Sequence, residues 1–266
     1  MTLEDEYAED GEAPPATPAA TVVIFRRDPA GGPAQLLMVE RSASLRFAGG
    51  AAVFPGGKVD DADFDFAMRL GATEVEARGE LAHRIAAVRE TIEETGLVIG
   101  VRERASADQA RQARALLLGE IGLEAVFAKM GWAPDLQALT LFARWRPKHK
   151  HMRVFDTRFY LADLGTGAVD VLVDDTENTH LFWASAADAL QFADSGRIKI
   201  IFPTRRNLER LAQFASFAET KAHAEAVPVQ TITPFMTQRD GQRWLSIPED
   251  AGYPVLGEPL DSAARG

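Results

Sequence analysis

Three carboxylates recur at i, i+3 and i+4 in AAVRETIEETGL, residues 86–97: Glu90, Glu93 and Glu94. On a helix advancing about 100° per residue they cover an arc of about 100°. Leu81, Ile85, Val88 and Ile92 fall within about 60° of one another on the opposite side, the narrow stripe of a helix packed on a core. Ala86 and Ala87 flank the acidic arc and are expected to leave room for an approaching ligand. The arrangement is costly for a plain surface. Like charges at i and i+4 destabilise a helix by about 0.2–0.5 kcal/mol. Acids in the last turn, just ahead of a Gly96 stop, also face the negative end of the helix dipole, at about 0.3–1 kcal/mol each. A divalent cation removes both penalties, because hard ions such as Mg²⁺ take oxygen ligands from a few carboxylates plus substrate phosphates. An acidic helix end on its own is equally what a solvated face looks like, so its neighbours decide.

The elements that must position this arc are legible as patterns. Thr21–Arg27 and Gln35–Arg41 are aliphatic, β-branched runs around a Pro/Gly-rich turn, which predicts two strands. A Gly-dense loop follows, then DDADFDFAMRL, the start of a short helix. Glu80–Thr95 has helical periodicity and stops at Gly96. Ala105–Met130 reads as one or two further helices broken near Gly119–Gly122, and Leu139–Trp145, Val154–Leu161 and Leu181–Trp183 read as strands. Ser185 to Asp188 has the spacing of a helix N-cap. Thr204–Ala226 reads as one long helix with Leu208, Leu211, Ala215 and Ala218 on one face, and Phe214 and Phe217 as core or dimer contacts. Strands and helices mix without strict alternation, so the expected class is α/β with a mixed sheet and added helices.

Composition narrows the chemistry. The chain has 266 residues, 29 Lys+Arg against 39 Asp+Glu, a net charge of −10 and no cysteine. Disulfide scaffolds, zinc-thiolate sites and cysteine nucleophiles are excluded. An acidic balance without a Lys/Arg block argues against general nucleic-acid binding, which depends on neutralising phosphates. No apolar run approaches the length of a membrane span, and the acidic start lacks the form of an export signal, so a cytoplasmic location is expected. Residues 1–20 carry six of the acids and no base, and are expected to be a disordered tail. Without them the body holds 33 acids and 29 bases, a net of −4. Residues 21–235 are expected to form the functional domain and 236–266 a C-terminal extension. His83, His180 and His223 lack the spacing of a metal site or triad, and no nucleophile elbow, Walker loop or dinucleotide fingerprint is present.

RETIEETGL (Arg89–Leu97), with FPGGKV (Phe54–Val59) upstream, resembles the two ends of the Nudix box. Two departures stand out. Gly57 to Arg89 is 32 positions where the family pattern needs 14, so 18 additional residues interrupt the box, and Thr91 replaces the usual aliphatic residue. The pattern's first Glu then has two candidate counterparts: Asp63 counting forward from Gly57, or Glu80 counting back from Arg89. VFDTRFYLA (Val154–Ala162), and the spacing from Glu177 to Trp183, are similar to the insertion-bearing branch that includes peroxisomal-type coenzyme A diphosphatases. LMVERSASLRFAGGAAVFPGG (Leu37–Gly57) resembles the motif upstream of the box in coenzyme A–active members. Arg41, Ser42, Arg46, Gly50 and Phe54 stand in its register; Met38 and Val39 depart from it.

The resemblance implies an α/β/α sandwich with a mixed sheet, extended by helices from the insertion and the C-terminal region. It implies a metal-dependent hydrolase, with Mg²⁺ or Mn²⁺ held by Glu90, Glu93, Glu94 and the Gly56 carbonyl, cleaving a diphosphate linkage in coenzyme A or an acyl-coenzyme A. Arg89 would orient a helix carboxylate, and Glu177 would take the proton, with Asp174 and Asp175 as rivals. Arg41, Arg46, Gly50, Phe54 and Arg158 would bind substrate, arginine being suited to gripping phosphate oxygens two at a time. The basic run of Arg144, Arg146, Lys148, Lys150 and Arg153, with His149 and His151, would edge the pocket or form a solvated loop. ADP-ribose or NADH is the alternative substrate, and a non-catalytic nucleotide sensor the alternative class. A homodimer is a possible assembly; neither a nucleic acid nor a membrane is expected as a partner.

Overall fold

The computed structural model describes residues 15–42, 48–148, 154–165 and 178–263. Its centre is a sheet ordered β3-β2-β1-β6-β5-β8, with β4 paired to β1 and β7 to β2. The strands are β1 (Thr17–Arg26), β2 (Gln35–Arg41), β3 (Ala52–Val53), β4 (Gly56–Lys58), β5 (Thr140–Trp145), β6 (Phe155–Asp163), β7 (Asn178–Ala184) and β8 (Thr231–Ile232). β1 runs parallel to β6 and β5 parallel to β8, while the other pairs are antiparallel, so the sheet is mixed as expected. β1 begins at Thr17, upstream of the β-branched run, so ordered structure reaches into the segment expected as a tail.

Strand parity assigns the two faces. Ala20, Val22 and Ile24 of β1, with Leu37, Val39, Tyr160 and Ala162, pack under α1 (Asp61–Arg69), α2 (Val75–Thr95), α3 (Ala107–Leu118) and α4 (Leu123–Met130). Val23 and Phe25, with Leu36, Met38, Phe159 and Leu161, face α5 (Ala186–Asp194), α6 (Phe202–Leu211) and α7 (Phe217–Ala226). Two layers of helix therefore cover one sheet, the expected α/β/α sandwich. A second sheet of β9 (Phe235–Arg239), β10 (Gln242–Ser246) and β11 (Gly257–Pro259), followed by α8 (Leu260–Ala263), joins the second layer through Leu245, Ile247 and Tyr253.

The carboxylate helix is longer than its periodic stretch, beginning at Val75 and ending at Gly96 in the left-handed conformation, φ 70°. Ile85, Val88 and Ile92 are fully buried, as the stripe requires. Thr91 is accommodated because its hydroxyl donates to the Ala87 carbonyl at 2.7 Å. Ala86 and Ala87 are also fully buried in the core, so they leave no open approach beside the acids. The expected single helix over 204–226 is instead two, α6 and α7. Ser216 accepts the Glu219 N–H at 3.3 Å while the Glu219 carboxylate accepts the Ala215 N–H at 2.8 Å. That Ser-x-x-Glu start signal was present in the sequence and outweighs the apolar periodicity across the break.

Candidate active site

The acidic arc is organised by one buried guanidinium. Arg89 Nε and Nη2 donate to the two Asp63 oxygens at 3.2 and 3.0 Å, and Nη2 also reaches the Lys58 carbonyl at 2.8 Å. Nη1 donates to Glu90 at 2.9 Å and Glu93 at 3.0 Å. All five N–H donors of the side chain are thereby engaged. Asp63 has only 2% of its side chain exposed and also accepts the Asp60 N–H at 2.9 Å, closing the first turn of α1. Asp63, not Glu80, is therefore the acid that meets Arg89. The additional residues fold between them as the rest of α1, a turn and the first turns of α2. Phe66 anchors this hairpin against Phe127 of α4, at 6.3 Å between rings.

Glycines bring the strand to the helix. A Cβ at Gly57 would lie 2.3 Å from the Glu90 carboxylate, and one at Gly56 would lie 2.3 Å from the Ala20 carbonyl oxygen. The Gly56 N–H donates to Glu94 at 2.9 Å. The room expected beside Ala86 and Ala87 is thus supplied from the opposite side, by β4.

Burial leaves Glu90 and Glu93 hard to ionise. Burial pushes the Glu90 carboxyl up to about 8; Arg89 opposes the shift, while Glu94 and Glu93 reinforce it. Burial raises Glu93 as well, against the pull of Arg89. Burial works against the charge on Arg89, yet its hydrogen bond to Asp63 and the charges of Glu90, Asp63 and Glu93 outweigh that and raise its pKa. In donor chemistry the cluster fits a divalent cation: hard oxygens, no sulfur, and repulsion that a cation relieves. In placement it is not a finished cage. Among the described residues no three acids converge as ligands, because Glu90 and Glu93 turn to Arg89 and Glu94 to Gly56. A cation must compete with Arg89 for two of them.

Glu90 borders a cleft of about 430 Å³. Thr21, Arg41, Lys58 and Asp60 share its polar rim; Phe54, Trp145, Phe155, Phe159 and Ile201 give it an apolar wall. Of the residues expected to bind substrate, Arg41 and Phe54 line this cleft. Gly50, at φ 73°, serves the turn instead, its N–H donating to the Arg41 carbonyl at 3.0 Å. Arg158 is a correction. It lies on the α2 face of β6, where it donates to Glu80 at 2.6 Å, while its neighbours Thr157 and Phe159 line the cleft. Glu80 also accepts from Arg84 at 3.1 Å and Tyr160 at 3.0 Å, so this acid fastens α2 to the sheet. Arg144 likewise pairs with Asp156, at 2.8 and 2.6 Å, while Pro147 of the same basic run lines the cleft. Arg46, Glu177, Asp174, Asp175, His149, Lys150, His151 and Arg153 lie outside the described residues. Lys58, Asp60, Thr157 and, apart from Phe54, the apolar wall were not singled out from sequence. For Lys58 and Asp60 the signal was available, since both sit within three residues of the Gly pair.

Comparison with known proteins bears on the same segments. The family model of the NUDIX domain matches residues 15–202. The acyl-coenzyme A diphosphatase of Gallus gallus is 29% identical over 234 residues, covering 68% of this chain and 62% of its own length. The acyl-coenzyme A diphosphatase of Xenopus laevis is 26% identical over 235 residues, covering 70% and 61%. The chain thus spans about three fifths of the length of these curated relatives. Among solved structures, a NUDIX hydrolase from Alicyclobacillus acidocaldarius is similar with a TM-score of 0.66 and 27% identity, covering 78% of this chain and 96% of that one.

Proposed function

The chain belongs to the Nudix family, and from that premise we propose that it is a metal-dependent hydrolase of a diphosphate linkage, with coenzyme A or an acyl-coenzyme A as substrate. The observation that carries the reading is the excess of carboxylates beside the cleft: Asp63, Glu90 and Glu93 share a single arginine whose donors are already spent, and Glu94 stands next to them on the Gly56 N–H. Glu90, Glu93 and Glu94, with the Gly56 carbonyl, would hold Mg²⁺ or Mn²⁺. The bound ion would supply charge neutralisation at the phosphates and a more acidic water. Arg89 keeps the helix acids aligned, and its tie to Asp63 and Lys58 holds the Gly56–Gly57 strand against them. Arg41 and Lys58 offer cationic groups to the phosphates from the rim. The apolar wall takes the less polar end of the ligand and keeps water from it. Glu177 remains our candidate for the proton acceptor.

The coenzyme A assignment draws on Arg41 and Phe54, which line the cleft in the register of the upstream motif, and on the names of the curated relatives. The test is incubation of the protein with Mg²⁺ or Mn²⁺ and coenzyme A, its acyl esters, ADP-ribose and NADH, with products identified by mass. Release of 3′,5′-ADP and 4′-phosphopantetheine is expected. Preferred turnover of ADP-ribose or NADH would reassign the leaving group, and failure with every diphosphate would favour a nucleotide-binding sensor. Folded Glu93→Gln and Glu94→Gln proteins are expected to lose about 10²–10⁴-fold in kcat; wild-type rates would remove the carboxylates from the mechanism.

A further inference from the structure

The wall of the cleft is completed by a segment beyond the family match, which ends at residue 202. Trp145, on the apolar wall, has 1% of its surface exposed and is held by two aromatic neighbours. Its indole N–H donates to the Tyr253 hydroxyl at 3.0 Å, and that hydroxyl donates onward to Asn207 Oδ1 at 2.6 Å. The Tyr253 ring meets Trp145 edge to face at 5.8 Å and 88°, and Phe202 meets it from α6 at 6.1 Å and 80°. The same terminal segment grips α6, whose start contributes Ile201, Pro203 and Thr204 to the cleft. Arg206 donates to the Gly257 carbonyl at 3.1 Å and to Glu258 at 2.9 Å. Gly252, at φ 78°, makes the turn that delivers Tyr253, and a Cβ there would come within 3.0 Å of Val227. A tyrosine buried in an apolar layer places its hydroxyl only where both a donor and an acceptor meet it.

We infer that Tyr253 is a positioning residue for substrate binding: through the Trp145 indole it sets the shape of the apolar wall, so the C-terminal segment is part of the specificity apparatus. A wall fixed by edge-to-face packing alone slides, whereas a hydrogen bond at the indole edge fixes rotation. Its effect is expected on ground-state binding, because Trp145 belongs to the apolar wall and not to the carboxylate cluster. The inference rests on the cleft being the substrate site proposed above.

The test is a kinetic cycle on the full chain with Mg²⁺ and coenzyme A. Tyr253→Phe removes one oxygen and keeps the ring; it is expected to raise KM about 5-fold with kcat within about twofold of wild type. Trp145→Phe removes the donor from the other side and is expected to raise KM similarly. The double variant is expected to be no worse than Trp145→Phe alone, since both act through one bond. An unchanged KM in Tyr253→Phe, or effects that multiply in the double variant, would overturn the inference. If the wild-type protein turns over no diphosphate, the functional reading falls separately. The brace is then judged by Trp145 emission, taken as the difference between each protein and its Trp145→Phe counterpart. A shifted, more quenchable Trp145 component in Tyr253→Phe supports it; identical difference spectra overturn it.

Discussion

Two groups of buried arginines on opposite faces of the sheet meet their neighbours in opposite ways. Arg89 stands among more carboxylates than it can neutralise: Asp63, Glu90 and Glu93 hydrogen-bond to it, and Asp60 lies 3.3 Å away. Arg206 and Arg210 of α6 are each 2% exposed and meet fewer carboxylates than Arg89 does. Arg206 has Glu209 and Glu258. Among the described residues no acid pairs with Arg210; it donates to His223 at 3.1 Å and to the Phe142 carbonyl at 3.1 Å, and lies 4.1 Å over the Phe142 ring. The charges respond accordingly. Carboxylates raise Arg89, whereas burial lowers Arg206 and Arg210. A cluster with acids in excess is, on the function proposed above, where a cation from solution would be held. A cluster whose cations rest on rings, carbonyls and the two acids at Arg206 holds the fold.

The sharpest way to break this contrast is to replace each arginine by an uncharged side chain of similar length. Arg89→Met leaves Asp63 buried without its partner and is expected to cost about 3–5 kcal/mol by denaturant unfolding. Arg210→Met removes a cation that no acid needs and is expected to cost less than about 1.5 kcal/mol, some of its packing being kept. Equal losses would erase the distinction.

A smaller effect follows from pH. Burial pushes the Glu209 carboxyl up to about 7 from 4.5, although Arg206 and Arg205 pull it down. Between those values the folded state holds a proton that the unfolded chain has released, so this group's contribution to stability falls as pH rises and levels off above about 7. Tm of wild type relative to Glu209→Gln is therefore expected to drop by a few degrees from pH 5 to pH 8 (roughly 4–8 °C per kcal/mol in a small domain, less in a larger one). Parallel curves would show that Glu209 titrates normally.

The smallest expected effect concerns Arg158. Facing Glu80 and not the cleft, it should leave KM for coenzyme A within about twofold on change to Met, with a stability loss of about 1 kcal/mol. A large KM increase would return it to the binding site.

Much of the site was readable because it is local. The acids of α2, their arc, the Gly96 stop and the apolar stripe all follow from one helical period and a few neighbouring residues. The glycine pair stands in the motif, but the close approach it permits, to Glu90 and the Ala20 carbonyl, lies elsewhere in the chain. Arg158 looked available because strand alternation names two faces without saying which carries the cleft. The alanines beside the acids looked like space because small residues mark close packing as readily as openness.

The sequence by itself determined the helix that carries Glu90, Glu93 and Glu94 and the main strands of the sheet, since these depend on dihedral preferences and side-chain periods over a few residues, while the family resemblance rested on the two halves of a motif. Only the tertiary structure decided that Asp63 and not Glu80 meets Arg89. Counting fails across the additional residues because contact there is set by how α1 packs on α2, not by chain separation. It also decided that β6 turns Phe159 to the cleft and Arg158 to α2, and that Tyr253 reaches Trp145 across more than a hundred residues. Long-range partners are chosen by which surfaces can be buried together with their polar atoms satisfied, a condition on the whole fold that no short window contains.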